Sequence, residues 1–458
     1  MKRKINKGFT LVELLAVIVI LAIILVIAVP KVMSVIEDSK KATLESTAKM
    51  IASSAEKQKV QNTVLGNTDA ITCDSVAKIN KLDYDTCDID FDNNTAKVTI
   101  KGKGKFEGLY VCNGTKTNSA ATKEECKVET VVTYIKSLYE NETTRASNGL
   151  TKDNTVDQNI RYSGPNSAVK NYVEFGNAGE KWRIIGIFNV INASGTTEEL
   201  VKLVREDSIG NMSWDSSADT INNGLGVNEW SQADLKTMLN TYYIGDSTTC
   251  TYCDNTNQAT CLNSCNDTVT PINSTYKNMI ETVVWNTGAW DIMHTIMESE
   301  TMTLNPVTLY NGERETVNGK RCTSGNLCND TVTRTTTWEG LVALLYVSDW
   351  GYASNVEACK TDLFAGKDKD QFDFTNAVCK TNNWMHYGTT EDIEEVTWML
   401  SPVVFPMESN NVAVVSGVGS AANVSGAGPF RVRPTIYLKS NIQIKEGDGS
   451  VGNPYKLK

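Results

Sequence analysis

MKRKINKG (residues 1–8) runs directly into FTLVELLAVIVILAIILVIAV (residues 9–29), and Pro30 closes the run. Lys2, Arg3, Lys4 and Lys7 make the first segment basic, and the second is apolar except for Thr10 and Glu13. As a helix rising 1.5 Å per residue, residues 9–29 would be about 31 Å long, which matches the hydrocarbon core of a bilayer. The basic segment keeps the N-terminus cytoplasmic and places the rest of the chain outside. An ionisable side chain at membrane depth costs roughly 2.5–3.5 kcal/mol or more, so Glu13 implies a partner and a purpose. No A-x-A-like cleavage site follows the apolar core, and helical patterning continues beyond it. The segment is therefore an anchor, not a removable secretory signal.

Beyond Pro30 the chain turns polar but keeps an apolar stripe. Val32, Val35, Ile36, Leu44, Ala48, Ile51 and Ala55 recur at three-to-four-residue spacing. This predicts one helix over residues 9–61, about 80 Å long, apolar all round in its first half and amphipathic in its second. Pro30 removes one backbone hydrogen bond and should kink or loosen the helix locally.

Gly8, Phe9, Glu13 and Pro30 together make this N-terminus resemble those of type IV prepilins and type II secretion pseudopilins. Counted from Phe9, Glu13 falls at the fifth mature position and Pro30 at the twenty-second, as in that family. The resemblance implies that residues 1–8 are a leader and that a prepilin peptidase cuts after Gly8. Phe9 is then the new, methylated N-terminus. It also implies that the freed amine of one subunit meets the Glu13 carboxylate of its neighbour, so that Glu13 and Pro30 belong to assembly. The partners implied are the peptidase, other pilin or pseudopilin subunits reached through the N-terminal helix, and the lipid bilayer.

Composition narrows the remainder. A chain of 458 residues holds two or three domains, and 41% hydrophobic with 21% charged residues excludes global disorder. The net charge is −10, and losing the basic leader makes the mature chain more acidic still. That argues against nucleic acid as a partner, since a phosphate backbone calls for a basic patch. Twelve cysteines, an even number, all lie beyond the apolar segment, as expected for an exported, disulfide-bonded protein.

The predicted fold is α+β: a long N-terminal transmembrane and stalk helix, a small disulfide-stapled pilin-like β head, and a larger C-terminal α+β module. The head covers residues 62–139. Within it Val76–Leu82 reads as a short helix, and Ala96–Ile100 and Phe106–Cys112 read as strands around the turn KGKGK. Val128–Tyr139 reads as a closing helix. Cys73 with Cys87 and Cys112 with Cys126 would each close a short loop, contributing about 3 kcal/mol apiece in a head with little core of its own. Residues 140–158 are rich in turn formers and read as a linker.

Residues 159–458 have a different texture, and all nine Trp lie there. WRIIGIFNV, LVKLVRE, NVAVVSG and RVRPTIYL read as strands. WSQADLKTMLNTYY reads as a helix starting at Ser231 in capping-box style, WEGLVALLYVSDW as a buried helix, and GDGS near the end as a hairpin turn. The order WRIIGI, LVREDS, WSQADLKTMLN, EGLVALLYVSDWGYA, NWM, WMLSP, AVVSGVG, VRPTIYL is similar to domains of bacterial surface proteins related to the C-type-lectin-like and formylglycine-generating-enzyme-like fold. That resemblance implies a module that binds an extracellular ligand, glycan or protein.

Other chemistry is weakly marked. Cys250, Cys253, Cys261 and Cys265 could form a four-thiolate zinc site, but seven residues between the pairs is short for one, and two local disulfides are favoured. Cys322 with Cys328 and Cys359 with Cys379 read as loop staples. The acidic groups Asp88-Asp90-Asp92, Asp368-Asp370-Asp373 and Glu391-Asp392-Glu394-Glu395 fit no EF-hand loop and read as solvated. No metal or other cofactor is expected. His294 and His386 stand alone, without GxSxG, HExxH or a P-loop, so no catalytic residue is assigned and the chain is not read as an enzyme. Most Trp residues should be core. The reading is a minor or tip pilin-like or pseudopilin-like subunit serving adhesion or secretion. The alternatives are a non-polymerising, membrane-anchored surface binding protein and, remotely, a stalked hydrolase.

Overall fold

The computed structural model describes residues 11–67, 71–77, 82–92, 94–126, 129–215, 227–248, 250, 269–288, 290–291, 305–314, 316–317, 320–321, 335–360, 363, 377–386, 396–404, 411–415, 421–425 and 430–458. The chain divides into two units, Met1–Val128 and Glu129–Lys458, and each has its own hydrophobic core.

In the first unit, α1 (Leu11–Leu65) runs unbroken through Pro30 and four residues past the expected end. From Leu11 to Ile36 its described Leu, Ile and Val side chains stay exposed, Leu25 at 58% for example. Further on, Leu44, Ala48, Ile51, Ala52 and Ala55 are fully buried on one stripe. The small Ala residues let the helix lie close on a four-stranded antiparallel sheet. Its strands are β1 (Tyr84–Asp92), β2 (Thr95–Gly102), β3 (Tyr110–Gly114) and β4 (Ala121–Thr122), in that order. Ala96, Val98 and Ile100 alternate inward from β2 against the helix stripe. Two carboxylates of α1 also satisfy sheet amides: Glu45 accepts from Ala121 N–H at 2.9 Å and Glu56 from Ala96 N–H at 3.2 Å.

The short helix here differs from expectation. α2 (Cys73–Val76) starts at the Thr72 cap and stops at Ala77, whose extended backbone ends it, so it precedes Val76–Leu82 instead of filling it. β1 was not expected, because its acidic residues read as a loop. In the strand, Asp88 and Asp90 share one face, while Cys87, Ile89 and Phe91 share the other and pack on the core.

The second unit begins earlier than the sequence indicates. α3 (Val131–Glu140) buries Val131 and Ile135 in the second core, so it belongs there and does not close the head. Residues 140–158 are not a linker. Asn141 caps α4 (Glu142–Asn148), Gly149 ends it at φ +72°, and β5 (Leu150–Lys152) follows. The turn-forming residues there are caps of a short helix.

β6 (Ile160–Tyr162), β7 (Tyr172–Glu174), β8 (Lys181–Ile191) and β9 (Thr197–Arg205) contribute to a nine-stranded sheet. Its order is Val342–Ala343, Thr435–Tyr437, β9, β8, β7, Tyr455–Leu457, Ile444–Glu446; β6 pairs with β8, and β5 with β6. β8 is buried on both faces through most of its length, which its continuous apolar run requires. Gly186 permits β6 to close on it, since a Cβ there would lie 2.2 Å from the Ile160 carbonyl oxygen. Gly447 and Gly449, at φ +100° and +76°, make the turn between the last two strands. A second sheet of six strands centres on Thr397–Val404 and carries the aromatic contacts Trp214–Trp230 (4.8 Å) and Trp398–Phe430 (4.9 Å).

Among the helices of this unit, α5 (Asp234–Met238) is capped at Ala233 and continues as a π turn over Leu239–Tyr243. Ser231 does not cap it; its hydroxyl donates to the Glu229 carboxylate instead. α6 (Ser274–Lys277) and α7 (Pro306–Glu313) are short. WEGLVALLYVSDW is not one helix. Thr337–Gly340 and Val342–Ala343 are strands, and only α8 (Val347–Tyr352) is helical. The run is apolar without a helical stripe, and its first half finds strand partners: Trp338 opposite Trp285, and Val342 opposite Ile436.

Candidate functional site

Two places concentrate unusual chemistry. The first is the N-terminal segment. Among the described residues, α1 is long and apolar enough to cross a membrane. Glu13 lies in its first turn and Pro30 in its interior. Gly8 and Phe9 lie outside the described residues.

The second is a set of charges sealed inside the second unit. β6 supplies Arg161, β9 supplies Lys202, α8 supplies Asp349, and the loop after β5 supplies Asp153. The side chains of all four are at most 2% exposed. Arg161 Nε donates to Asp153 Oδ2 at 2.6 Å and Arg161 Nη1 to Asp349 Oδ1 at 2.7 Å. Lys202 Nζ donates to Asp349 Oδ2. Aromatic faces enclose the cations: Phe188 and Tyr352 lie 4.5 and 4.6 Å from the Arg161 guanidinium, and Tyr346 lies 4.2 Å from Lys202 Nζ. Asp153 also accepts from the amides of Thr155 and Asn159, so the loop after β5 is folded around it.

Burial and charge compete at each group. Burial lowers the Lys202 ammonium to about 8 even against Asp349. Burial would raise the Asp349 carboxyl, but Lys202 and Arg161 outweigh it and hold it below the usual range. Asp153 is likewise held low by Arg161 against its burial. Glu313, at the end of α7, has a weaker counterweight in Arg314. Burial raises it to about 7, although Arg314 lies 3.6 Å away and Ser348 N–H donates to it at 3.0 Å.

A cleft of about 580 Å³ opens beside this cluster, lined by Lys152, Asn154, Asn305, Tyr352, Glu357 and Lys360 among others. Amide, hydroxyl, aromatic and both signs of charge face it. That mixture suits a polar, hydroxyl- or amide-bearing ligand.

The cysteines are structural. Cys73 is bonded to Cys87, Cys112 to Cys126 and Cys359 to Cys379. Cys250 is buried and disulfide-bonded, so it offers no thiolate to a zinc ion. Cys253, Cys261, Cys265, Cys322 and Cys328 lie outside the described residues, as do His294, Asp368-Asp370-Asp373 and Glu391-Asp392-Glu394-Glu395. Among the described residues no group of His, Cys, Asp and Glu could hold a metal ion. Trp182, Trp214, Trp230, Trp285, Trp384 and Trp398 are fully buried, so they build core and do not form a surface platform.

The sealed charges were missed in the sequence, although a signal was there. Lys202 interrupts LVKLVR and Asp349 interrupts LLYVSDW. A lone charge inside an apolar run requires a buried partner.

Residues 3–29 match the family described as the prokaryotic N-terminal methylation motif. No curated protein and no solved structure matches the chain. The motif and α1 together give this chain an N-terminus of the prepilin type: a prepilin-peptidase substrate, like a type IV pilin or pseudopilin, with a membrane anchor.

Proposed function

We propose that the protein is a minor or tip subunit of a type IV pilin-like or pseudopilin-like assembly, presenting the unit Glu129–Lys458 outside the cell as a binding module for adhesion or secretion. The observation that carries this is the methylation motif at residues 3–29, continuous with the exposed apolar half of α1. The second unit is far larger than the head, and such bulk on every subunit would obstruct helical packing of stalks; a sparse or terminal place in the assembly follows. The disulfides support an oxidising compartment. The lectin-like order of segments in residues 175–440 favours binding over catalysis, and the cleft at Asn154 and Tyr352 is where a glycan or a polar peptide would sit.

Co-expression with a prepilin peptidase should reduce the mass of the protein by that of residues 1–8. An unchanged mass would sink the reading. Glu13→Ala should leave membrane insertion intact and strongly reduce incorporation into filaments, measured by shearing and immunoblotting. Unaltered incorporation would instead favour a surface binding protein that never polymerises. Binding of the detergent-solubilised chain to a glycan array tests the ligand class, and silence across sugars points to a protein ligand.

A further inference from the structure

We infer that Lys202 and Asp349 join in an intramolecular isopeptide bond, a self-formed covalent cross-link between β9 and α8. The inference stands apart from the pilin-like reading, because it needs only the second unit. It rests on how this one pair is housed. Lys202 Nζ and Asp349 Oδ2 are in contact, and neither side chain is more than 1% exposed. Tyr346, Phe188, Trp285 and Tyr437 surround the nitrogen, with ring centroids 4.2 to 5.7 Å away. Other lysine–carboxylate pairs, such as Lys136–Glu199 and Lys277–Asp246, are partly exposed. There water solvates the ammonium and competes for the carboxyl carbon. In the interior water is excluded and the two groups are held in reach by the fold.

The condensation balances without any outside reagent. One ammonium proton passes to the carboxylate, leaving a neutral amine and a neutral acid. Nζ then attacks Asp349 Cγ, forming the C–N bond. One carboxyl oxygen departs as water, carrying two of the three ammonium protons, and the amide nitrogen keeps the third. The other oxygen remains as the carbonyl. Arg161 Nη1, 2.7 Å from Asp349 Oδ1, sits where negative charge develops in the tetrahedral intermediate. Glu313 is the proton carrier. Its carboxyl is fully buried, accepts from Ser348 N–H and O–H next to Asp349, and feels the charge of Asp349. Held near 7, it can both take and return a proton at neutral pH. The lowered Lys202 ammonium, about 8, supplies a usable fraction of free amine. After the step the pair carries no charge, and Arg161 keeps Asp153 as its counterion at 2.6 Å.

The cross-link would tie strand to helix across 147 residues of sequence, where the disulfide Cys359–Cys379 spans only 20. The test is a tryptic digest of the reduced, alkylated full-length protein. A branched peptide joining residues 184–205 to residues 335–360, lighter than their sum by one water and uncut after Lys202, is the expected product. Recovery of residues 184–202 as a free peptide, with no branched species, overturns the inference and leaves a buried ion pair. In Glu313→Gln the branched peptide should fall at least tenfold while the linear peptides rise. Wild-type yield in that variant removes Glu313 from the chemistry. The wild-type digest decides the cross-link even if the variant fails to fold.

Discussion

Glu313 and Asp349 are both fully buried carboxyls in the second unit, yet they titrate in opposite directions. As a free carboxyl Asp349 has two cations on it and is held ionised; Glu313 faces mainly burial and takes up its proton near 7. The consequence for stability follows from linkage. Glu313 binds a proton more tightly folded than unfolded, because its value rises from 4.5 to about 7. Its contribution is complete below about 4.5 and disappears as the pH climbs through 7. At one pH unit per 1.36 kcal/mol, that is about 2–3 kcal/mol between pH 5 and pH 8. Denaturant titrations of the second unit should show this loss in the wild type and a much flatter profile in Glu313→Gln. Equal slopes would refute it. The sequence shows Glu313 only as one acid in NGERE. What makes it special is the burial that α7 and α8 impose, and no spacing rule reports that.

At the scale of elements, α1 was legible because its stripe is periodic and its first half is apolar without break. Ile51 is fully buried against the head sheet, so Ile51→Ala should cost about 2–5 kcal/mol of the first unit's stability. A fall in that unit's melting transition alone, with the second unchanged, is the expected calorimetric result. Glu56 reinforces the same contact. Lys116, 2.6 Å away, holds its carboxylate below the usual range, so the bond weakens as the pH drops below about 4.5. Other elements were read wrongly for physical reasons. β1 hides because acids occupy one of its faces. α4 hides because caps and turn formers are the same residues. The run WEGLVALLYVSDW is apolar on every side, and only cross-strand partners far along the chain divide it into strands and helix.

For the whole molecule, two separate cores mean two cooperative units. A fragment of residues 129–458 should fold alone and reproduce one of two transitions seen in the full chain; a single merged transition would show that the cores unfold together. The sequence by itself determined the processing motif, the anchor and stalk, and the α+β mixture, because each is written in local order: a charge beside an apolar run, a period of three to four, an alternation of two. Only the tertiary structure decided where the second unit begins, that β1 and the first half of WEGLVALLYVSDW are strands, and that Arg161, Lys202, Asp153 and Asp349 share one dry interior. Those outcomes depend on contacts between residues as far apart as Arg161 and Asp349, 188 positions along the chain, and on the loss of water around them. Local pattern carries no record of either.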